Sequence, residues 1–270
     1  MRLRFWGTRG SIPAPGPDTL RFGGNSTCLQ LELGGQQVII DAGSGIRPLG
    51  QSLLGKCKQV TLLITHLHPD HLMGFPFFAP IFDPEMTILV GGWPNALHGL
   101  KRLFYSGRPV GGFPVPFDHL PARIVRGPGL DPPRFSLGGY QVRTTPLSHP
   151  QGSIGYRFDG PEGALVFITD NELPPQSPSP RLVDFCRGAK VLIHDCQYLP
   201  SEMGSYHGRG HSAWPSALAL SQAAGVGRLL LTHHDPDRTD GQVQDMVDEA
   251  RKHAGGMAVD AAAEGMVLEI

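Results

Sequence analysis

Apolar residues along this chain fall into short runs separated by turn residues, and the runs follow two periods. Val60-Thr-Leu-Leu-Ile-Thr65 is apolar almost throughout and bounded by turn residues, which predicts a buried strand. Thr27 to Leu33 and Gln37 to Ile40 predict a hairpin turned at Gly34-Gly35. Ile46, Leu49, Leu53 and Leu54 recur at helical spacing. Further strands are predicted at Leu3–Phe5, Thr87–Val90, Tyr140–Thr145, Ser153–Phe158, Ala164–Thr169, Val191–Ile193, Leu229–Leu231 and Met266–Leu268. Helices are predicted to start near Asp70, to cover Asn95–Tyr105, and to cover Ser212–Ala224 with Ser212 as N-cap and Pro215 in the first turn. Asp240 is expected to cap a last helix carrying Val243, Met246, Val247 and Ala250 on one face.

Strands precede helices in both halves, and no linker divides them. The pattern predicts one α/β layered domain over residues 1–270 with its site along one sheet edge. Ser106 to Pro133 has no clean period and is rich in Gly, Pro and aromatics. It reads either as an irregular insertion that shapes a substrate site or as a merely irregular covering segment.

Composition narrows the class. Charged residues make up only 17% of the 270, net charge is −1, and 36 Gly and 26 Pro are interleaved with the strand-like runs. Without a basic block, affinity for a long nucleic-acid backbone is disfavoured as a principal interaction. Cys28, Cys57, Cys186 and Cys196 are scattered and form no close pair, so buried, reduced thiols are expected. No signal peptide is read at Met1–Trp6 and no apolar stretch approaches the ~20 residues that span a bilayer. A cytoplasmic protein without a membrane partner is the expectation, with a homodimer as the default oligomer.

The densest chemistry is His66-Leu-His68-Pro-Asp70-His71, directly after the Val60–Thr65 run. A tight loop there can aim His66 and His68 one way and Asp70 and His71 another, which begins two metal sites. Imidazole and carboxylate donors suit Zn²⁺ first, with Mn²⁺ or Fe²⁺ where oxygen dominates. His149, Asp170, Asp195 and His233 lie just past other predicted strands. His98, His119 and His253 are expected on the surface, His194 in the core, and His207 exposed. His234 is expected to point away from its neighbour, and Asp41 to stand behind a ligand.

The spacing His66-X-His68-X-Asp70-His71, with His149, Asp170 and His233, resembles the metallo-β-lactamase fold superfamily over essentially the whole chain. Asp41-Ala-Gly-Ser-Gly45 resembles that superfamily's acidic turn. Gly7-Thr-Arg-Gly-Ser-Ile-Pro13, Gly23-Gly-Asn-Ser-Thr27, Gly210-His-Ser-Ala-Trp214 and Leu231-Thr-His-His-Asp235 resemble its phosphodiesterase branch, which includes tRNA 3′-endonuclease and cyclic-phosphate or cyclic-nucleotide phosphodiesterases. Ala213 departs from the His-Ser-Thr common in that branch. The resemblance implies a four-layer αββα sandwich of two mixed sheets with a dinuclear site at one edge. His66, His68 and His149 would hold one metal; Asp70, His71 and His233 the second; Asp170 would bridge.

Two cations roughly 3.5–4 Å apart can share a hydroxide and neutralise phosphate oxygens during in-line attack. Asp70, His211 and Asp195 are the expected catalytic residues. Asp70 acts from the metal site, and His211 is a general acid or phosphate ligand. Asp195 either orients His211 or is a structural acceptor. The expected function is hydrolysis of a small, cyclic phosphodiester or cyclic nucleotide. A tRNA 3′-processing endonuclease is the alternative, a thioester or lactone hydrolase ranks third, and a non-catalytic metal-dependent binding module is the alternative of another class.

Overall fold

The computed structural model describes residues 1–105, 113–174 and 178–270. The chain begins with β1 (Arg2–Gly7), then the hairpin β2 (Cys28–Leu33) and β3 (Gln36–Ile40), whose turn places Gly34 and Gly35 at φ 52° and 80°. Positive φ at both central residues matches the twist of the flanking strands, and glycine adopts it without a Cβ clash. α1 (Ile46–Leu53), β4 (Gln59–Ile64), β5 (Thr87–Gly92) and α2 (Ala96–Lys101) follow. Next come the short pair β6 (Phe104–Tyr105) and β7 (Phe113–Pro116), then β8 (Arg123–Arg126).

The second half contains β9 (Arg134–Leu137), β10 (Tyr140–Leu147), β11 (Ser153–Gly160), β12 (Gly163–Ile168), α3 (Pro180–Cys186), β13 (Val191–Asp195) and α4 (Met203–Tyr206). It continues with α5 (Trp214–Ala224), β14 (Arg228–Thr232), α6 (Asp240–Lys252) and β15 (Ala258–Ala261). β16 (Val267–Glu269) returns to the first half.

Among the described residues these strands form two seven-stranded mixed sheets, ordered β16-β1-β2-β3-β4-β5-β8 and β15-β14-β13-β12-β11-β10-β9. Each is antiparallel at one side and parallel at the other: β3, β4, β5 and β8 run parallel in the first, β12 to β15 in the second. Side-chain alternation explains the near-continuous apolar runs, because the parallel strands are buried on both faces. Leu63 of β4, Phe167 of β12, Ile193 of β13 and Leu230 of β14 point into the core between the sheets. Leu62 and Ile64 point out to pack with Ile46 and Leu49 of α1. Val166, Leu192 and Leu229 meet Leu182, Ala217 and Val247 of α3, α5 and α6. Three buried cores thus separate four layers, αββα.

Several expectations change in detail. No α-helix starts at Asp70; Pro69–His71 is one 3₁₀ turn, followed by 3₁₀ turns at Phe75–Phe77 and Ala79–Phe82. Pro76 and Pro80 lack the N–H a continuing helix needs. α2 stops at Lys101 and Phe104–Tyr105 becomes a strand. Ser212 does not cap α5, whose N-cap is Ala213; its hydroxyl donates to the Asn171 carbonyl and accepts from the Leu173 N–H. Thr239, not Asp240, caps α6 through a capping box with Gln242, while the Asp240 carboxylate accepts from the Arg21 and Phe22 N–H groups.

Of the stretch read as an irregular insertion, 106–112 lies outside the described residues. The rest is partly regular, because Arg123–Arg126 forms the edge strand of the first sheet beside β5. No described helix is long and apolar enough to cross a membrane. All four cysteines are free.

Candidate metal centre

β4, β10, β12, β13 and β14 end at one edge of the sandwich, and each delivers a donor there. His66 follows β4, His149 follows β10, Asp170 follows β12, Asp195 ends β13 and His233 follows β14. Asp41, Asp170 and His233 take left-handed backbone at φ 62°, 53° and 58°. Such conformations are costly for residues with a Cβ and are concentrated at functional sites. Here they turn each side chain out of its strand direction toward the common centre.

Donor atoms converge in two groups of four that share Asp170, and Asp195, His211 and His233 form a third, smaller group beside them. His66, His68, His149 and Asp170 each offer an atom within 4.8 Å of the others, and so do Asp70, His71, Asp170 and His233. His71 Nε2 and His233 Nε2 both lie 3.2 Å from Asp170 Oδ1, while His66 Nε2 and His149 Nε2 lie 3.5 and 3.6 Å from Asp170 Oδ2. Asp170 therefore turns one oxygen toward each group. The Nε2 atoms of His66 and His71 are buried without a hydrogen-bond partner among the described residues. A buried nitrogen left unsatisfied is costly, and a lone pair aimed at a cation held by its own group would resolve it. This donor set, imidazole and carboxylate, fits divalent cations.

The nitrogens facing away from the centre are held. Asp41 Oδ2 pairs with His71 Nδ1 at 2.8 Å, and Asp41 also accepts from the Thr65 N–H and hydroxyl. The Gly210 carbonyl accepts from His149 Nδ1 at 2.9 Å, Gln197 Oε1 from His233 Nδ1 at 3.1 Å, and Thr65 Oγ1 meets His66 Nδ1 at 3.0 Å. Such contacts fix tautomer and ring orientation. Burial opposes the charges of Asp70 and Asp170, yet the surrounding imidazoles hold both carboxyls well below their usual range. Burial pushes His66 well below its usual value.

Beside the second group, Asp195 Oδ2 lies 2.6 Å from His211 Nδ1, and His211 stacks on His233 at a centroid distance of 5.0 Å. Burial would lower the His211 pKa, but the charge and hydrogen bond of Asp195 outweigh it and push it up to about 9. The remaining histidines stay outside. His194 is buried and bonded to its own strand, His234 turns to the Ala262 carbonyl, and His98, His119, His207 and His253 are exposed. Next to His149 lies a cavity of about 860 Å³ lined by Leu173, Pro174, Met203 and His207.

Sequence reading missed Gln197 and Glu172, and held Ser11 only as part of the Gly7–Pro13 motif, without a role. Ser11 N–H donates to Asp70 Oδ2 at 2.8 Å, and the Glu172 carboxylate accepts from the Gly208 and Gly210 N–H groups, holding the loop that carries His211. Only the position of Gln197, two residues past a strand-end aspartate, could have marked it.

Known proteins share this fold. Residues 36–234 match the family described as Beta-lactamase superfamily domain. The chain is 26% identical to ribonuclease Z of Exiguobacterium sp. over 287 aligned positions, covering 86% of this chain and 88% of the relative. It is 28% identical to ribonuclease Z of Mycobacterium avium, covering 90% and 89%. The fold is similar to that of the metallo-beta-lactamase fold protein YhfI from Bacillus subtilis (TM-score 0.73, 18% identity, 99% of both chains). It is also similar to that of the short form of human tRNase Z (0.68, 18%, 100% and 99%). The chain belongs to the beta-lactamase superfamily domain family and has the metallo-β-lactamase fold.

Proposed function

We propose that this chain is a metal-dependent phosphodiester hydrolase acting on a small substrate, a cyclic phosphate or cyclic nucleotide. The observation that carries the reading is the sharing of Asp170 between two donor groups, with the Asp195–His211 pair beside the second. His66, His68 and His149 would hold one cation, Asp70, His71 and His233 the other, with Zn²⁺ the first choice for this donor set. Cations bound there would polarise phosphoryl oxygens and activate water near neutral pH. The chain's own residues do the rest. Asp41, Gly210 and Gln197 keep the ligand rings aimed, Asp195 keeps the His211 Nδ1 proton in place, and His211 gives the proton on Nε2 to the departing oxygen.

One observation favours a small substrate. Arg123 and Arg126 lie at opposite ends of edge strand β8, and Arg126 is paired with Asp131. The names of the curated relatives favour the second reading, a tRNA 3′-processing endonuclease.

Hydrolysis of 2′,3′- and 3′,5′-cyclic nucleotides beside a precursor tRNA, by protein of known metal content, separates the two. Turnover of the cyclic substrates alone is expected. Cleavage of the tRNA alone would replace this reading by the second. Silence on both with two metals bound would favour a thioester or lactone hydrolase or a binding module. Asp70→Ala and His233→Ala, both folded, should abolish hydrolysis of bis-p-nitrophenyl phosphate.

A further inference from the structure

Four polar groups from distant parts of the chain close a ring around the second donor group. His233 Nε2 lies 3.2 Å from Asp70 Oδ2, and the same oxygen accepts the Ser11 backbone N–H at 2.8 Å. Ser11 Oγ accepts from Gln197 Nε2 at 3.1 Å, and Gln197 Oε1 accepts from His233 Nδ1 at 3.1 Å. Gln197 and His233 are both buried. Ser11 holds a left-handed backbone, φ 61°, which serves both contacts at once: its N–H meets Asp70 while its hydroxyl meets Gln197.

The loop before it is packed tightly beneath the ring. A Cβ on Gly10 would come within 2.3 Å of His233 Nδ1 and 2.9 Å of Gln197 Oε1, and Gly10 N–H donates to the His234 carbonyl at 2.9 Å.

We infer that Gln197 and Ser11 are positioning residues for the second cation, setting which nitrogen of His233 faces it. Gln197 turns its amide NH₂ to Ser11 Oγ and its carbonyl oxygen to His233 Nδ1. A carbonyl only accepts, so Nδ1 carries the ring proton and Nε2 keeps a lone pair directed at Asp70 and Asp170. His71 is held by a carboxylate, His149 by a backbone carbonyl and His66 beside the Thr65 hydroxyl, so among these four rings a side-chain amide stands behind His233 alone. It also makes the amino-terminal loop a structural part of a site otherwise built at strand ends.

The inference rests on the two-cation reading, and the test keeps the two apart. Binding of Zn²⁺ at buffered free concentrations is measured for wild type, Gln197→Leu, Gln197→Glu and Ser11→Ala. Thermal unfolding of each metal-free form and the His233 tautomer, from long-range ¹H–¹⁵N spectra, are recorded alongside.

Wild type should take two equivalents. Gln197→Leu should keep the first and bind the second about 10–100-fold more weakly, the usual loss when a group behind a ligand is removed. Gln197→Glu, which still accepts from Nδ1, should recover most of that affinity. Ser11→Ala, which leaves the backbone N–H on Asp70, should weaken the second equivalent less and populate the other tautomer. Should Gln197→Leu fail to fold, Ser11→Ala decides by the same two readouts. Two equivalents bound with wild-type affinity in both variants would overturn the inference and leave the two-cation reading standing, as would equal loss of both equivalents in Gln197→Leu and Gln197→Glu. A wild type that takes up fewer than two would overturn both.

Discussion

Asp195 holds His211 at two points, its Oδ2 2.6 Å from the ring Nδ1 and its Oδ1 accepting the Ser212 backbone N–H at 2.7 Å. One carboxylate thereby fixes both the imidazole and the peptide that follows it. The arrangement leaves Nε2 without a hydrogen-bond partner among the described residues, as a proton donor to substrate requires. His211→Ala should lower kcat on the phosphodiester substrate by about 10²–10⁴-fold, the usual worth of a positioned acid. Metal content, measured by elemental analysis, should not change.

The same pair gives a pH expectation for the metal-free chain. His211 titrates at about 9 when folded, above the ordinary histidine value of about 6.5. The stabilisation from its pairing with Asp195 is therefore complete below about 6.5 and is lost as pH rises through about 9. Asp195→Asn removes the opposing charge while burial remains, so the His211 midpoint should fall, as an NMR titration of the ring would record. A midpoint unchanged in that variant would separate the two residues.

Asp170 serves both donor groups, His68 only one. Asp170→Ala should therefore reduce bound metal from two equivalents to below one, whereas His68→Ala should weaken a single equivalent. Stepwise chelation with metal analysis of each variant distinguishes these outcomes.

Phe158 of β11 is fully buried between the sheets, stacked on Tyr156, whereas Phe77 is 57% exposed. Phe158→Ala should cost about 3–5 kcal/mol through lost burial and the cavity left behind. Phe77→Ala should change stability by less than about 0.5 kcal/mol. Urea unfolding midpoints of the two variants make the comparison.

Thiol chemistry offers a check on the cores. Cys28, Cys186 and Cys196 are buried, and burial pushes their thiols up, Cys186 to about 12. Cys57 is only half-buried, with a smaller upward push from burial. A thiol reagent should label Cys57 first in the native protein, faster as pH rises because the thiolate is the nucleophile, and all four after unfolding.

The sequence by itself determined much of this protein. Strand runs such as Val60–Thr65 and Val191–Ile193 are legible because burial on both faces favours apolar side chains at nearly every position, and Gly34-Gly35 marks a turn few other residues can make. The donors are legible too, since His66, His68, Asp70 and His71 crowd one loop after such a strand. Local cap chemistry was less so: Ser212 and Asp240 have the right side chains for caps, yet each is recruited by a distant backbone group, Asn171 and Leu173 in one case, Arg21 and Phe22 in the other. Only the tertiary structure decided which strand ends meet, that Asp170 turns one oxygen to each donor group, and that Ser11 and Gln197 stand behind His233. Those relations join residues as many as 186 positions apart. Their geometry comes from the packing of two sheets, which no local period along the chain encodes.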